Sequence, residues 1–221
     1  MKISVAEEFA AVPPRAGLAG WIAKALPEGL LAGFLAHPGH FFAEPEQVLK
    51  DDVKTAVVQI SLAGPGGAPR RMVAKRFRYG LPLRRLGFRF SESPALRSLK
   101  GALLLKRRGF DTPEPLAVLE FRDWKRLGTS FYLAAEVENS CSLRAFWLEV
   151  APALAKKERI RIGRSIIRQL ARLFARLHAA GIYHGDLKGS NILMQDWRSE
   201  DRRFFLVDLD RVSERRLSPG R

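Results

Sequence analysis

Residues 184–193 read HGDLKGSNIL, and residues 204–210 read FFLVDLD. The first run sets Asp186, Lys188 and Asn191 in a short loop between apolar segments, and the second is a hydrophobic strand that ends at Asp208. Carboxylate and amide oxygens are the hard ligands that Mg²⁺ prefers. Because phosphoryl transfer from ATP depends mainly on positioning and on neutralising phosphate charge, this pattern predicts a phosphoryl-transfer site.

Each of the four residues has an expected role. Asp186 can accept the proton of the attacking hydroxyl, because a carboxylate within hydrogen-bond reach both orients the nucleophile and acts as its base. Lys188 can reach the transferred phosphate as a point charge. Asn191 and Asp208 supply oxygens for the metal. The competing interpretation is that Asp186 and Asn191 only cap turns.

Length and composition indicate an ordinary globular enzyme domain. The chain has 221 residues, of which 47% are hydrophobic, so it can bury a sizeable core in one domain or two small lobes. Its single cysteine, Cys141, excludes an internal disulfide and favours a reducing compartment. No secretory signal and no apolar run of roughly 20 residues is found. We therefore expect a cytoplasmic location.

Charge points to anionic partners. The formal net charge is +15, and the basic residues from position 70 onward meet no acid before Glu92. This basic stretch contains Arg70, Arg71, Lys75, Arg76, Arg78, Arg84, Arg85 and Arg89, with Phe77, Tyr79, Phe88 and Phe90 interleaved. It could hold an anionic lipid surface, a phosphorylated glycolipid or a nucleic-acid backbone, or it could be only a solvated face.

The pattern of apolar residues divides the chain into three parts and predicts an α+β fold. Residues 1–40 are expected to form an N-terminal extension with one or two short helices. Within residues 41–136 the apolar pattern predicts strands at 55–62, 71–77, 116–121 and 131–137. It also predicts a hairpin loop at 64–67 and a helix that follows Ser93 and stops at Gly109. This order predicts a small antiparallel sheet covered by one helix. Residues 137–221 are mainly helical, with a long helix that ends at Gly181 just before the 184–193 loop.

Over residues 45–213 the chain resembles the protein-kinase-like superfamily and, within it, the lipopolysaccharide kinase (Kdo/WaaP) family. The HGDLKGSNIL loop carries this resemblance first. Three further segments carry it: AKRFRYG at 74–80, GFDTPEP at 109–115 and VDLDR at 207–211. Protein kinases proper usually have Asp-Phe-Gly where this chain has Asp208, Leu209 and Asp210.

The resemblance implies a two-lobed fold, with an N-lobe at 41–136 and a C-lobe at 137–221 that lacks the family's later helices. It implies transfer of the ATP γ-phosphate to a sugar hydroxyl of the lipopolysaccharide inner core, on Kdo or heptose, with Mg²⁺. Lys75 would pair the α- and β-phosphates, and the backbone near Glu136 and Val137 would meet adenine. The implied partners are ATP, an anionic glycolipid acceptor and, by peripheral contact at the cytoplasmic face of the inner membrane, an anionic lipid surface; nucleic acid is not expected.

Three departures from the kinase pattern keep alternatives open. First, residues 49–56 contain no glycine where a phosphate loop would lie. Second, the helix after Ser93 contains no acid to pair with Lys75, and Glu92 is the nearest candidate. Third, eleven residues follow Asp210. Asp210 would either touch metal or hold the turn. The alternatives are a protein Ser/Thr kinase, a small-molecule phosphotransferase of the aminoglycoside or choline type, and a non-catalytic pseudokinase that acts as a binding module.

Overall fold

A computed structural model describes residues 4–15, 17–63, 69–78, 92–123 and 126–215. The predicted hairpin loop at 64–67 and the part of the basic stretch from Tyr79 to Phe90 lie outside these residues. The chain forms two compact units. The first unit comprises Met1–Leu103 and Glu114–Glu136, and the second comprises Leu104–Pro113 and Val137–Arg221.

The first unit is built on a seven-stranded antiparallel sheet in the order β1-β2-β6-β7-β5-β4-β3. Its strands are β1 (Phe9–Arg15), β2 (Leu18–Ala23), β3 (Gln47–Asp51), β4 (Thr55–Ala63), β5 (Pro69–Arg78), β6 (Pro115–Asp123) and β7 (Arg126–Ala135). The four strands predicted from alternation are confirmed as β4 to β7. The last of them ends at Ala135, two residues before the predicted end.

Both faces of this sheet are covered. Along β4 every second residue is buried, as period-two alternation requires. One face packs against two short helices, α1 (Ala32–Ala36) and α2 (His40–Ala43). Phe34 of α1 is completely buried in this core. The other face packs against the helix α3 (Pro94–Arg107), which contributes Ala95, Leu99 and Leu103.

The prediction of short helices near the N-terminus is wrong for residues 18–23, which form the strand β2, and is confirmed for Ala32–Ala36, which form α1. β2 pairs with β6 from Leu18 to Ile22, and a Cβ at Gly20 would lie 2.2 Å from the carbonyl oxygen of Val118. This close approach of two backbones selects glycine and fixes β2 in the sheet. The sheet is therefore larger than predicted, because pairing across the chain overrides the local helical spacing.

The helix α3 begins and ends where the sequence predicts. The Leu96 amide donates a hydrogen bond of 2.9 Å to Ser93 Oγ, which caps the first turn. Gly109 follows the helix with φ of +73°, a left-handed conformation that glycine adopts without steric cost. These two residues explain why the sequence fixes this helix so well.

The second unit contains one long helix and two small sheets. Its elements are β8 (Ser140–Ser142), α4 (Leu143–Ala145), α5 (Lys156–Ala179), β9 (Ile182–Tyr183), β10 (Ile192–Gln195), β11 (Arg203–Leu206) and β12 (Ser213–Glu214). The strands pair as β11-β10-β8 and as β12-β9. α5 buries Ile162, Ile166 and Leu177, and the chain turns at Gly181 as predicted.

None of the helices in the described ranges combines the length and hydrophobicity needed to cross a bilayer.

Candidate active site

The two sequence motifs lie side by side in the second unit. β9 leads into the loop that begins at His184, and β10 follows that loop. β10 pairs with β11 in a register that sets Ile192 opposite Leu206, and the Val207 amide donates a hydrogen bond of 3.0 Å to the Asn191 carbonyl. The pairing of these two strands therefore brings Asp208 next to the 184–193 loop.

Asp186 is held by two neighbours in the same loop. Lys188 Nζ donates to Asp186 Oδ2 at 2.7 Å. Asn191 Nδ2 donates to the Asp186 carbonyl at 2.8 Å and to Oδ2 at 3.2 Å. The hydrogen bond from Lys188 lowers the pKa of Asp186 most, with smaller contributions from Asn191 and Arg211. Asp186 is thus an ionised carboxylate whose Oδ1 is left to accept a further hydrogen bond.

Gly185 lets this loop lie against the chain that follows Asp208. Its φ is +81°, and a Cβ there would lie 2.6 Å from the Arg211 Cβ and 2.9 Å from the Arg211 carbonyl oxygen. Asp208 itself has φ of +66°, which a residue with a side chain adopts at a cost of order 1–3 kcal/mol. Backbone strain of this kind concentrates at functional sites.

His184 joins the two motifs from within the core. The residue is buried, and its Nε2 lies 3.1 Å from the Val207 carbonyl oxygen. A carbonyl can only accept, so Nε2 carries the proton, while Nδ1 is buried and has no hydrogen-bond partner among the residues that the structure describes. Burial lowers the pKa of His184, so the ring is neutral and fixes the position of Val207, next to Asp208.

The donor set beside Asp186 fits a magnesium ion. Asn191 Nδ2 donates its hydrogen bond to Asp186, so Asn191 Oδ1 is the side-chain atom that could bind the metal. Ser190 Oγ lies 3.3 Å from this oxygen. Asp208 adds a carboxylate. Within the described ranges no group of three or more His, Cys, Asp or Glu gathers as a metal cluster. Two protein oxygens suit Mg²⁺, which usually completes its shell with water and phosphate oxygens.

The residues expected to bind nucleotide divide between the units. Lys75 lies in the middle of β5, with Nζ 4.7 Å from the centre of the Phe77 ring. Glu136 ends the first unit, and its Oε1 accepts a hydrogen bond of 2.9 Å from Gln59 Nε2. Val137 begins the second unit, where its carbonyl accepts from Ser140 Oγ at 2.6 Å. The structure therefore groups Asp186, Lys188, Asn191 and Asp208, while Lys75 and Glu136 belong to the other unit.

The hairpin between β3 and β4 is closed by a carboxylate instead of by glycine. Asp52 Oδ1 accepts from the amides of Lys54 at 2.8 Å and Thr55 at 2.7 Å. Together with a side-chain hydrogen bond from Lys50, the largest cause, these contacts hold the pKa of Asp52 well below its usual range. These two backbone N–H groups are thus already occupied.

The carboxylate of Glu92, the nearest acid to α3, forms an ion pair with Lys100.

Sequence reasoning gave no role to His184 and Gly185. Both residues directly precede Asp186, and this position could have indicated that they belong to the site. Their partners Val207 and Arg211, however, lie more than twenty positions further along the chain. Only the pairing of β10 with β11 reveals those contacts.

Comparison with known proteins then identifies the family. A sequence model of the lipopolysaccharide kinase (Kdo/WaaP) family matches residues 75–221, well over half of the chain. This chain belongs to that family. The match confirms the resemblance read from the motifs, and it begins at Lys75. Membership indicates that this family member is a kinase.

The solved structures include WaaP in complex with acyl carrier protein. That structure is 18% identical in sequence, covers 88% of this chain and 74% of its own chain, and has a TM-score of 0.57. At this level of identity the likeness shows a shared fold. No curated protein matches this chain.

Proposed function

We propose that the chain is an ATP-dependent kinase that phosphorylates a sugar hydroxyl of the lipopolysaccharide inner core, on Kdo or heptose. One observation carries the proposal: Asp186 is hydrogen-bonded to both Lys188 and Asn191 beside Asp208, in a chain of the lipopolysaccharide kinase family. Asp52, which closes a turn in this chain, accepts from two backbone amides, whereas the hydrogen bonds to Asp186 Oδ2 come from two side chains.

The chemistry follows from the two oxygens of Asp186. Oδ2 is engaged by Lys188 and Asn191, so Oδ1 accepts the proton of the acceptor hydroxyl as that oxygen attacks the γ-phosphorus. The new bond joins the sugar oxygen to phosphorus, and the bond from phosphorus to the ADP oxygen breaks. Lys188 offsets charge on the transferred group. Asn191 and Asp208 would hold Mg²⁺, which neutralises phosphate charge when bound.

We further propose that the two units are the lobes of a protein-kinase-like fold. Lys75 would pair the α- and β-phosphates, because a lysine on this strand is the usual phosphate partner in kinases. Backbone groups of Glu136 and Val137 would meet adenine at the point where the first unit gives way to the second.

Contact with an anionic membrane is supported by the exposed face of α5. Arg164, Arg168 and Arg172 recur every four residues on the solvent side of this helix, and none is paired with an acid among the described residues. Ile160 and Ile167 lie exposed on the same side, the latter with 62% of its surface accessible. Cations beside exposed apolar side chains are typical of helices that lie on anionic lipid. This face, and not only the basic stretch after Lys75, would bring the kinase to its glycolipid.

The acceptor class is tested with radiolabelled ATP and a panel of acceptors: a Kdo lipid, a heptose-containing core lipid, a generic protein substrate and an aminoglycoside. We expect label only in the glycolipids, and none with Asp186→Asn. Label in protein or aminoglycoside would transfer the assignment to one of the other kinase classes. Nucleotide binding without label in any acceptor would indicate a pseudokinase.

A further inference from the structure

A cavity lies in the first unit, between the two short helices and the sheet. Its volume is about 1040 Å³, close to the upper end of the size range of small-molecule sites. The rings of Phe41, Phe121 and Phe131 line it, and the last two meet edge to face with centroids 5.8 Å apart. His37 and His40 stand at its exposed rim. The wall thus combines three phenylalanine rings and two imidazoles with small residues.

Among the described residues of this wall, Arg76 is the guanidinium-bearing one. Arg76 lies with its guanidinium 4.6 Å from the centre of the Phe42 ring, and its Nε is buried without a hydrogen-bond partner. Asp51 attracts this guanidinium, but its carboxylate is already ion-paired with Arg78. Partial burial, together with the nearby Arg78, lowers the pKa of Arg76. An anion entering the cavity would offset this burial of a cation.

The cavity is separate from the candidate nucleotide lysine. Lys75 and Arg76 are consecutive on β5, so their side chains point to opposite faces of the sheet. Lys75 shares its face with Phe77, which packs with α3, whereas Arg76 is opposite Phe131 in the sheet and faces the short helices. A ligand beside Arg76 would thus occupy a different surface from a nucleotide at Lys75.

We propose that this cavity binds an aromatic anion, a planar ring system that carries a phosphate or carboxylate group. The acid group pairs with the Arg76 guanidinium, and the ring packs edge to face against Phe121 and Phe131. A free inorganic anion would leave most of the cavity unfilled, and an uncharged arene would bring no anion to Arg76. Both halves of the ligand are therefore required for tight binding.

The test uses 1-naphthyl phosphate as the probe, with binding followed by calorimetry. The comparison ligands are 1-naphthol, which lacks the anion, and inorganic phosphate, which lacks the ring. We expect one site per chain, at least tenfold weaker binding of either comparison ligand, and no displacement by saturating Mg-ADP. Equal binding of 1-naphthol or of phosphate, or displacement by ADP, would overturn the proposal.

Three variants locate the site. Arg76→Gln removes the cation, and its affinity for 1-naphthyl phosphate is expected to fall to the affinity for 1-naphthol. Arg70→Gln removes an exposed cation from the same strand outside the cavity, and binding should be unchanged. Ala36→Trp keeps Arg76 and fills the cavity from an exposed position on α1, so that both aromatic ligands bind weakly. Unchanged binding in both Arg76→Gln and Ala36→Trp would place the probe elsewhere.

Discussion

The side-chain amide of Asn191 donates to both the carbonyl and the carboxylate of Asp186, at 2.8 and 3.2 Å. One residue thus fixes the backbone and the carboxylate of another five positions earlier. Because Asn191 is itself buried, this pair gives the loop one defined shape before any substrate arrives. The relationship ties the proposed base to a proposed metal ligand.

Asn191→Ala should therefore harm both folding and activity. Two hydrogen bonds are lost at a buried position, so we expect the free energy of unfolding to fall by about 1–3 kcal/mol. Urea denaturation measures this loss, and a phosphate-transfer assay with titrated Mg²⁺ measures the second effect, a rise in the metal concentration required. Ser190→Ala is the control, since its contact with Asn191 is 3.3 Å long. Equal stability of both variants would contradict the proposed role of the amide.

Gly185 and Gly109 form a matched pair for testing the close approach to Arg211. Both have positive φ, but a Cβ at Gly109 would meet no atom of the described segments within 4 Å, whereas one at Gly185 would lie 2.6 Å from the Arg211 Cβ. Gly109→Ala should cost only the left-handed strain, about 1–2 kcal/mol. Gly185→Ala should cost more and lower phosphate transfer. Thermal or urea unfolding gives the comparison, and equal losses would mean that residue 211 does not pack on this loop.

The Asp52 turn predicts a pH dependence of stability. The pKa of Asp52 is lower in the folded chain than the value of about 3.9 expected in an unfolded one. Its stabilising contribution is therefore complete above that unfolded value and is lost as the pH falls toward the folded pKa. The stability difference between wild type and Asp52→Asn should shrink as the pH is lowered below about 4. A difference that is constant from pH 6 to pH 3 would contradict the hydrogen-bonded turn.

Membrane binding is tested on the exposed face of α5. Each arginine near an anionic surface contributes about 1 kcal/mol, so replacing Arg164, Arg168 and Arg172 with glutamine should weaken binding to phosphatidylserine vesicles about a hundredfold. The control replaces Lys24, Lys54 and Lys100, which removes the same charge from the first unit outside the basic stretch. Sedimentation with vesicles at fixed salt gives both values. Equal losses in the two triple variants would mean that net charge, and not α5, drives the contact.

Local chemistry made part of the fold predictable. β4 and the helix α3 are encoded by alternation and by the cap at Ser93, and the structure has both. The apolar spacing of residues 18–23 is compatible with a helix, but these residues form β2 because they pair with β6, about a hundred positions further along the chain. Gly20 is the residue whose lack of a side chain permits that pairing.

The candidate site shows the same division. Asp186, Lys188 and Asn191 could be found from spacing alone, because they lie within six positions and contact one another. The role of His184 could not, since its partner Val207 lies directly after β11, more than twenty positions further along the chain. The Arg76 cavity was equally invisible in the sequence, where Arg76 is one cation in a run of many.

Asp186 is proposed here as the base of a lipopolysaccharide core kinase. The most direct measurement is single-turnover transfer of the ATP γ-phosphate to a purified core glycolipid, with nucleotide affinity measured in parallel for wild type and Asp186→Asn. We predict that the variant binds Mg-ATP within about threefold of wild type but transfers phosphate at least 10²-fold more slowly, the scale of general-base catalysis. Equal transfer rates in the two proteins would contradict the account.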